Sequence, residues 1–229
     1  VIDSRRGVHL ITAVDRLVSL SGEFQRIALS ATIRPLETTA AFIGGFHDPD
    51  GFRPPALKPR AVTTIATEDS KQYRIEIRNP AVSETEAEPE SIWDSLVVHL
   101  KRIVAGNRAT LIFVNSRRLC EKITYLLNRD EHRPLAYAHH GSLSREIRFE
   151  VEQQLKQGLL RTIVATSSLE LGIDIGDLDQ VILVQSPFSI ASTIQKIGRA
   201  GHRVGDISHG ILFPTFALDI LQADRKSVV

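Results

Sequence analysis

From about residue 91 onward the chain alternates two hydrophobic periods, and this alternation limits its fold more than any other feature. Trp93, Leu96, Val97, Leu100, Ile103 and Val104 fall at helical spacing and end at Gly106-Asn107, and Thr110-Leu111-Ile112-Phe113-Val114 follows as a short apolar run. Such a run predicts a strand covered on both faces, because a strand with one wet face alternates polar and apolar residues. The pattern then repeats. Leu119, Ile123 and Leu126-Leu127 predict a helix, Leu135 to His139 a strand, and Ile147, Val151 and Leu155 a helix that stops at Gly158. Thr162 to Ala165 and Val181 to Val184 predict strands, Ile190, Ile194 and Ile197 a helix, and Gly210 to Phe213 a last strand. Strands joined through helices need right-handed crossovers, so the expected fold class is α/β with a doubly wound parallel sheet. Function in that architecture gathers on loops that leave the carboxyl ends of the strands.

The stretch before residue 80 carries fewer elements. A helix through Leu10, Val14, Leu17 and Val18 precedes a predicted strand Arg26-Ile27-Ala28-Leu29, and a second helix runs from Pro35, a favoured first-turn residue, toward Gly44-Gly45. Val62 to Ala66 and Tyr73 to Ile77 are candidate strands. These elements are too few to cover both faces of a sheet and read as the tail of an α/β domain. Between Asn79 and Glu90, four glutamates alternate with small residues, which predicts an exposed linker or insertion, with an ordinary surface loop as the alternative. The expected division is therefore residues 1–80, a linker at 81–90 and a second domain at 91–229.

Composition excludes several classes. A 229-residue chain with 42% hydrophobic and 24% charged residues is globular rather than disordered or fibrous, and long enough for a large domain or one domain and part of another. No apolar run reaches the roughly 18 residues of a membrane helix, and no signal peptide opens the chain. The single cysteine, Cys120, forms no internal disulfide, so a reducing cytoplasm is the expected compartment. It also has no Cys-x-x-Cys partner, and no metal site is expected. A net charge of +1 gives no bulk argument for a nucleic-acid partner, which has to be argued from sites. The chain contains no methionine and begins at Val1, so a processed or excised piece is expected.

Residues of one kind follow the predicted strands. Ser30-Ala31-Thr32, Asn115-Ser116-Arg117, His140-Gly141-Ser142 and Thr166-Ser167-Ser168 place hydroxyls, amides, an arginine and a glycine at helix starts, where free N–H groups and the helix dipole favour anions. For any one of them helix capping is the better explanation, and only the four together on one edge of a sheet bring a phosphate-tracking edge level with it. Gln195-Lys196-Ile197-Gly198-Arg199-Ala200-Gly201-His202-Arg203 adds a basic cluster punctuated by glycines. Guanidinium groups pair bidentately with phosphate oxygens and suit a transferring phosphoryl group, although a basic helix end also needs no ligand. In Thr166 to Asp174, Gly172 permits a close approach and Asp174 presents a carboxylate just beyond it, of the kind that could accept from a ribose hydroxyl.

These segments carry a family resemblance. Ser30-Ala31-Thr32, Thr166 to Asp174 and Gln195 to Arg203 resemble, in order, motifs III, V and VI of superfamily-two helicases. Phe113-Val114-Asn115-Ser116-Arg117-Arg118, His139-His140-Gly141-Ser142-Leu143-Ser144-Arg145-Glu146 and Gly198-Arg199-Ala200-Gly201-His202 are similar to the large helicase-related, or Lhr-type, family. Arg6-Gly7-Val8-His9-Leu10 resembles the stretch after that family's DExH box, so the likeness covers Arg5 to Phe216 apart from Glu84 to Glu90.

The resemblance implies the end of a first RecA-like domain over residues 1–80 and a whole second RecA-like domain over 91–229. It implies that Ser30, Ala31 and Thr32 couple nucleotide state to strand movement, and that Asn115, Ser116, Arg117, His140, Gly141 and Thr166 meet a nucleic-acid backbone. Gly172, Asp174, Gln195 and Arg199 would face ATP, with Gln195 and Arg199 catalytic and Arg199 an arginine finger. His202 stands where the most common pattern has a second arginine, as in the Lhr-type motif, and Arg203 one place later is the competing phosphate contact. ATP and Mg2+ are the implied cofactors of an intact parent, none tightly held by this piece. Single-stranded or duplex nucleic acid and the ATP-binding half of the parent are the implied partners, with no membrane, and 3′ to 5′ movement on DNA the implied activity.

No Gly-Lys pair occurs in the sequence, so the P-loop such an ATPase needs is not in these residues. The piece alone is expected not to hydrolyse ATP. A non-catalytic binding module and a different ATP-driven motor on the same fold are the alternatives.

Overall fold

The computed structural model describes residues 5–30, 35–47, 57–66, 72–80, 91–169, 177–201 and 207–227. Packing divides the chain into two units, Val1–Asp69 and Ser70–Val229.

In the first unit, α1 (Arg5–Ser21) and α2 (Leu36–Gly44, entered through Pro35) occupy the segments whose helical spacing predicted them. Two short strands, β1 (Phe46–His47) and β2 (Lys58–Pro59), pair antiparallel. An ionic cluster joins these elements. Asp15 meets Arg26 at 2.8 Å, Glu23 meets Arg60 at 2.8 Å and His47 at 2.9 Å, and Arg60 donates to the Gly44 carbonyl at 2.9 Å. The Arg60 guanidinium, then His47, hold the exposed Glu23 carboxyl down at about 2. The strand expected at Arg26–Leu29 is not formed, and Val62–Ala66 is not a strand either. Ile27 is 77% and Leu29 93% exposed, so this apolar segment has no sheet to join among the described residues.

The second unit is the expected doubly wound α/β sheet. Its strands are β3 (Tyr73–Ile77), β4 (Thr110–Val114), β5 (Ala136–His139), β6 (Thr162–Ala165), β7 (Gln180–Val184) and β8 (Ser208–Phe213). They lie in the order β3-β8-β7-β4-β6-β5, every neighbouring pair parallel. The division by packing therefore falls earlier than the boundary expected at residue 80: Tyr73–Ile77 extends the second unit's sheet by pairing with β8.

Helices α3 (Ile92–Gly106), α4 (Arg117–Asn128), α5 (Arg145–Lys156), α6 (Ile190–Ile197) and α7 (Ala217–Ser227) cover the sheet. Successive side chains of β4 point to opposite faces, and both are buried. Leu111 and Phe113 join a core with Val151 and Leu155 of α5, Ile197 of α6 and Ala223 of α7. Ile112 and Val114 join a second core with Leu96 and Leu100 of α3 and Leu119, Ile123 and Leu127 of α4. Serine caps fix four of the helix starts: Ser91, Ser116, Ser144 and Ser189 accept from the backbone N–H three residues on. Gly158, at φ 72°, turns the chain after α5. Helix α7 had no counterpart in the sequence reading, since Leu218, Ile220 and Leu221 are exposed and its inward stripe is short.

Candidate nucleic-acid and nucleotide interface

Six of the expected positions, Asn115, Ser116, Arg117, His140, Gly141 and Thr166, lie along the carboxyl edge of the sheet, where β4, β6 and β5 end side by side. Asn115 leaves β4 half-buried, and its Nδ2 donates to the Ser186 carbonyl beyond β7 at 2.9 Å. Ser116 accepts from Leu119 N–H at 3.2 Å, so its hydroxyl is the cap of α4. Arg117 follows on the first turn, exposed and without an ion pair among the described residues.

His140 is turned inward. Its Nδ1 accepts from Ser142 N–H at 3.3 Å, so Nε2 carries the proton toward Glu121 at 2.6 Å. The edge at β5 therefore presents the backbone of Gly141, where an added Cβ would meet nothing within 4 Å. At β6, Thr166 is half-buried, its N–H donates to the His139 carbonyl at 3.1 Å, and a single 3-10 turn, Ser167–Leu169, follows.

A buried relay lies under this edge. The His139 ring has Glu152 of α5 at 2.7 Å from Nε2 and Ser168 at 2.8 Å from Nδ1, and Ser168 also donates to the His139 carbonyl at 3.0 Å. Burial pushes the imidazole below its ordinary value, with Glu152 opposing. Nearby, Cys120 donates to the Val164 carbonyl at 3.0 Å, and burial pushes its thiol up to about 11, which leaves it a packing group and not a nucleophile.

The described part of the basic cluster, up to Gly201, leads to the other edge. Helix α6 starts beside the carboxyl end of β7 and runs back to the amino ends of the strands, where Ala200 bridges to Leu178 before β7 and accepts from Ser208 Oγ, at the start of β8, at 2.7 Å. Arg199 and Gln195 are half-buried on this stretch. Gly198 sits where a Cβ would come within 2.9 Å of the Ile194 carbonyl, and Gly201 adopts φ 69°, so both glycines serve the close turn behind Arg199. Lys196 does not belong to the exposed cluster. It is 4% exposed, and its Nζ lies over the Phe113 ring at 5.4 Å.

The sheet thus brings Asn115, Ser116, Arg117, Gly141 and Thr166 together and holds Gln195 and Arg199 apart from them, at its opposite edge. Ser30 belongs to the first unit, and Ala31, Thr32, Gly172, Asp174, His202 and Arg203 lie outside the described residues. Among the described residues no three His, Cys, Asp or Glu side chains are arranged to hold a metal ion. No described helix is long and apolar enough to cross a membrane.

Sequence reasoning missed the anchor of the β7–α6 loop. Asp219, 1% exposed on α7, accepts from Ser186 N–H at 2.7 Å and from Thr215 N–H at 3.0 Å. A lone acidic residue in an amphipathic segment carries no signal for such a role.

A six-stranded parallel sheet in this order, covered by helices on both faces, is the fold of a RecA-like helicase C-terminal domain. Residues 94–204 match the helicase conserved C-terminal domain. The chain is 41% identical to "ATP-dependent helicase Lhr-Core protein 2" of Thermococcus barophilus, over 99% of this chain and 25% of that protein. It is 38% identical to "Lhr helicase/uracil glycosylase" of Escherichia coli K12, over 97% of this chain and 17% of that protein. The solved structure of Mycobacterium smegmatis helicase Lhr bound to ssDNA and AMP-PNP superposes with a TM-score of 0.84 at 38% identity, over 100% of this chain and 29% of that one. The chain belongs to the Lhr helicase family and spans between about a sixth and three tenths of the length of these relatives.

Proposed function

We propose that this chain is the strand-gripping and nucleotide-sensing part of an ATP-dependent helicase that moves 3′ to 5′ on DNA. The observation that carries the reading is the placement of its two candidate surfaces on opposite edges of one sheet. Asn115, Arg117, Gly141 and Thr166 share the carboxyl edge, and Arg199 sits at the amino edge, joined to it by β7 and α6. A single rigid layer then passes movement at the nucleotide to the strand. The M. smegmatis relative, bound to ssDNA and AMP-PNP, supports both halves of the reading.

Arg117 and the open backbone at Gly141 take phosphate oxygens, and the capped start of α4 adds its dipole. Ser116 and His140 act one step back, by fixing the turns that carry those groups. Contact with phosphates implies little base selectivity. Arg199, with Gln195 one turn before it, faces the γ-phosphate of ATP in the parent, and Ser30, Ala31 and Thr32 link that event to the strand. Gly172 and Asp174 keep the nucleotide-facing roles that the family pattern gives them, and His202 and Arg203 compete for the second phosphate contact.

The sequence has no Gly-Lys pair to close a phosphate cradle, so ATP with its Mg2+ needs a further part of the parent. The ATP-binding half of the parent is that part. In isolation the chain binds and does not hydrolyse.

Fluorescence anisotropy with a labelled single-stranded oligonucleotide tests the grip. Weak binding that falls steeply with salt is expected, and Arg117→Ala should weaken it alike on unrelated sequences. A loss confined to one base composition overturns the phosphate assignment. In the full-length parent, Arg199→Ala should lower turnover roughly 10³- to 10⁵-fold with much less effect on DNA affinity. Unchanged turnover removes Arg199 from the nucleotide site, and ATP hydrolysis by the purified chain alone removes the assignment of the motifs.

A further inference from the structure

Phe188 is 93% exposed on the Gln185–Ser189 loop that joins β7 to α6, whereas Phe113 and Phe213 of the same sheet are fully buried. A bare aromatic ring forgoes the gain that burial brings. The loop that carries it is held from several directions. Asn115 Nδ2 donates to the Ser186 carbonyl at 2.9 Å, Asp219 accepts Ser186 N–H at 2.7 Å, Gln185 Nε2 donates to Thr215 Oγ1 at 3.0 Å, and Ser189 accepts Ser192 N–H at 3.1 Å. Gln185 also adopts φ 71°, a left-handed backbone at a residue other than glycine. Such a conformation persists only where its surroundings over-determine it, and it clusters at functional sites. The ring is therefore displayed from a fixed base.

Its position is also specific. Val114 pairs with Val184 in the β4–β7 register, so Asn115 and Gln185 leave adjacent strands side by side, and the Asn115 side chain bonds the residue two before Phe188. Phe188 thus flanks the edge where Arg117, Gly141 and Thr166 are aligned.

We infer that Phe188 is a stacking platform for a base of the nucleic-acid strand whose phosphates follow that edge. The inference rests on the strand-gripping reading proposed above and adds a base contact to it. Polar loops take the backbone, the bases of a single strand need an apolar face, and every base offers a π-face, so a phenyl ring grips them without selecting sequence. The ring stands just before the Ser189 cap of α6, the helix whose far end leads to Arg199, so a stacked base moves with that helix.

The test uses the 229-residue chain, an oligothymidylate, and the same oligonucleotide with abasic sites, at low salt. The expected result is that Phe188→Ala weakens binding to the ordinary strand roughly 5- to 150-fold, the range for loss of one stacked base, and leaves the weaker abasic binding unchanged. Phe188→Trp should keep the affinity, and its fluorescence, above the Trp93 background, should be quenched on binding. Equal loss from Phe188→Ala on both oligonucleotides, or no loss on either, overturns the inference. Failure of the unaltered chain to bind either oligonucleotide overturns the strand-gripping reading instead, and the inference falls with it. Thermal unfolding of Phe188→Ala should match the unaltered chain, since the side chain touches solvent almost everywhere.

Discussion

Asp219 shows how a single buried carboxylate shapes the carboxyl edge. It accepts two backbone N–H groups, from Ser186 and Thr215, and its backbone carbonyl accepts the Ser186 hydroxyl at 3.3 Å. Replacing it with alanine leaves two buried donors without partners, each costing about 1–3 kcal/mol. Asp219→Ala should therefore lower the free energy of unfolding measured in urea by about 2–6 kcal/mol, seen as a lower midpoint, and Asp219→Asn, which keeps one acceptor oxygen, by less. Equal midpoints for the alanine variant and the unaltered chain would show that water replaces the carboxylate. Lys196 makes the complementary point. Its charge read as part of a phosphate-seeking cluster, yet its stem is buried and its ammonium lies over the Phe113 ring, so of the described basic residues in that cluster only Arg199 is left for the nucleotide-facing role proposed above.

At the scale of elements, α6 and β8 meet without clearance. A Cβ on Gly210 would lie 2.5 Å from Cδ1 and 2.6 Å from Cγ1 of Ile197, so glycine lets the helix that carries Arg199 lie flat on the strand. Gly210→Ala should cost about 1–3 kcal/mol through overpacking, read as a lower unfolding midpoint. The paired change Gly210→Ala with Ile197→Val should recover part of it. A single variant as stable as the unaltered chain would mean that α6 shifts freely, and turnover of the parent would then be the more sensitive readout. Other elements depended on partners that propensity does not encode. Arg26–Leu29 has strand composition and stays unpaired, while Tyr73–Ile77, placed by sequence with the first region, finds β8 across 135 residues.

At the scale of the molecule, acid sensitivity centres on the layer beneath the carboxyl edge. His139 is buried, and its folded value is depressed below the unfolded one, near 6.5. The unfolded chain then binds more protons below that value, so stability is fully present above about pH 6.5 and declines as pH falls from there toward the folded value. Urea midpoints across pH 5 to 8 should show this slope, and His139→Gln should flatten it. An unchanged slope in the variant assigns it to another of the eight histidines. Because His139 holds Ser168 and its carbonyl takes Thr166 N–H, the same acid step should loosen the turn after β6 and weaken strand binding.

The sequence by itself determined the layered sheet, the order of its elements after residue 91 and the family. Those features are written in local periodicity, in serine caps and in contiguous motifs, each readable without knowing what lies across the fold. It also named Asn115, Ser116, Arg117, His140 and Thr166 as a group. Only the tertiary structure decided what those side chains do: Ser116 caps a helix, His140 turns in to Glu121, and Asn115 ties two loops together. It also separated Arg199 from them by placing it at the other edge, anchored the β7–α6 loop on Asp219, and left Phe188 bare. Such facts depend on which residues far apart in the chain become neighbours, and a hydrophobic pattern records whether a side chain is buried but not against what.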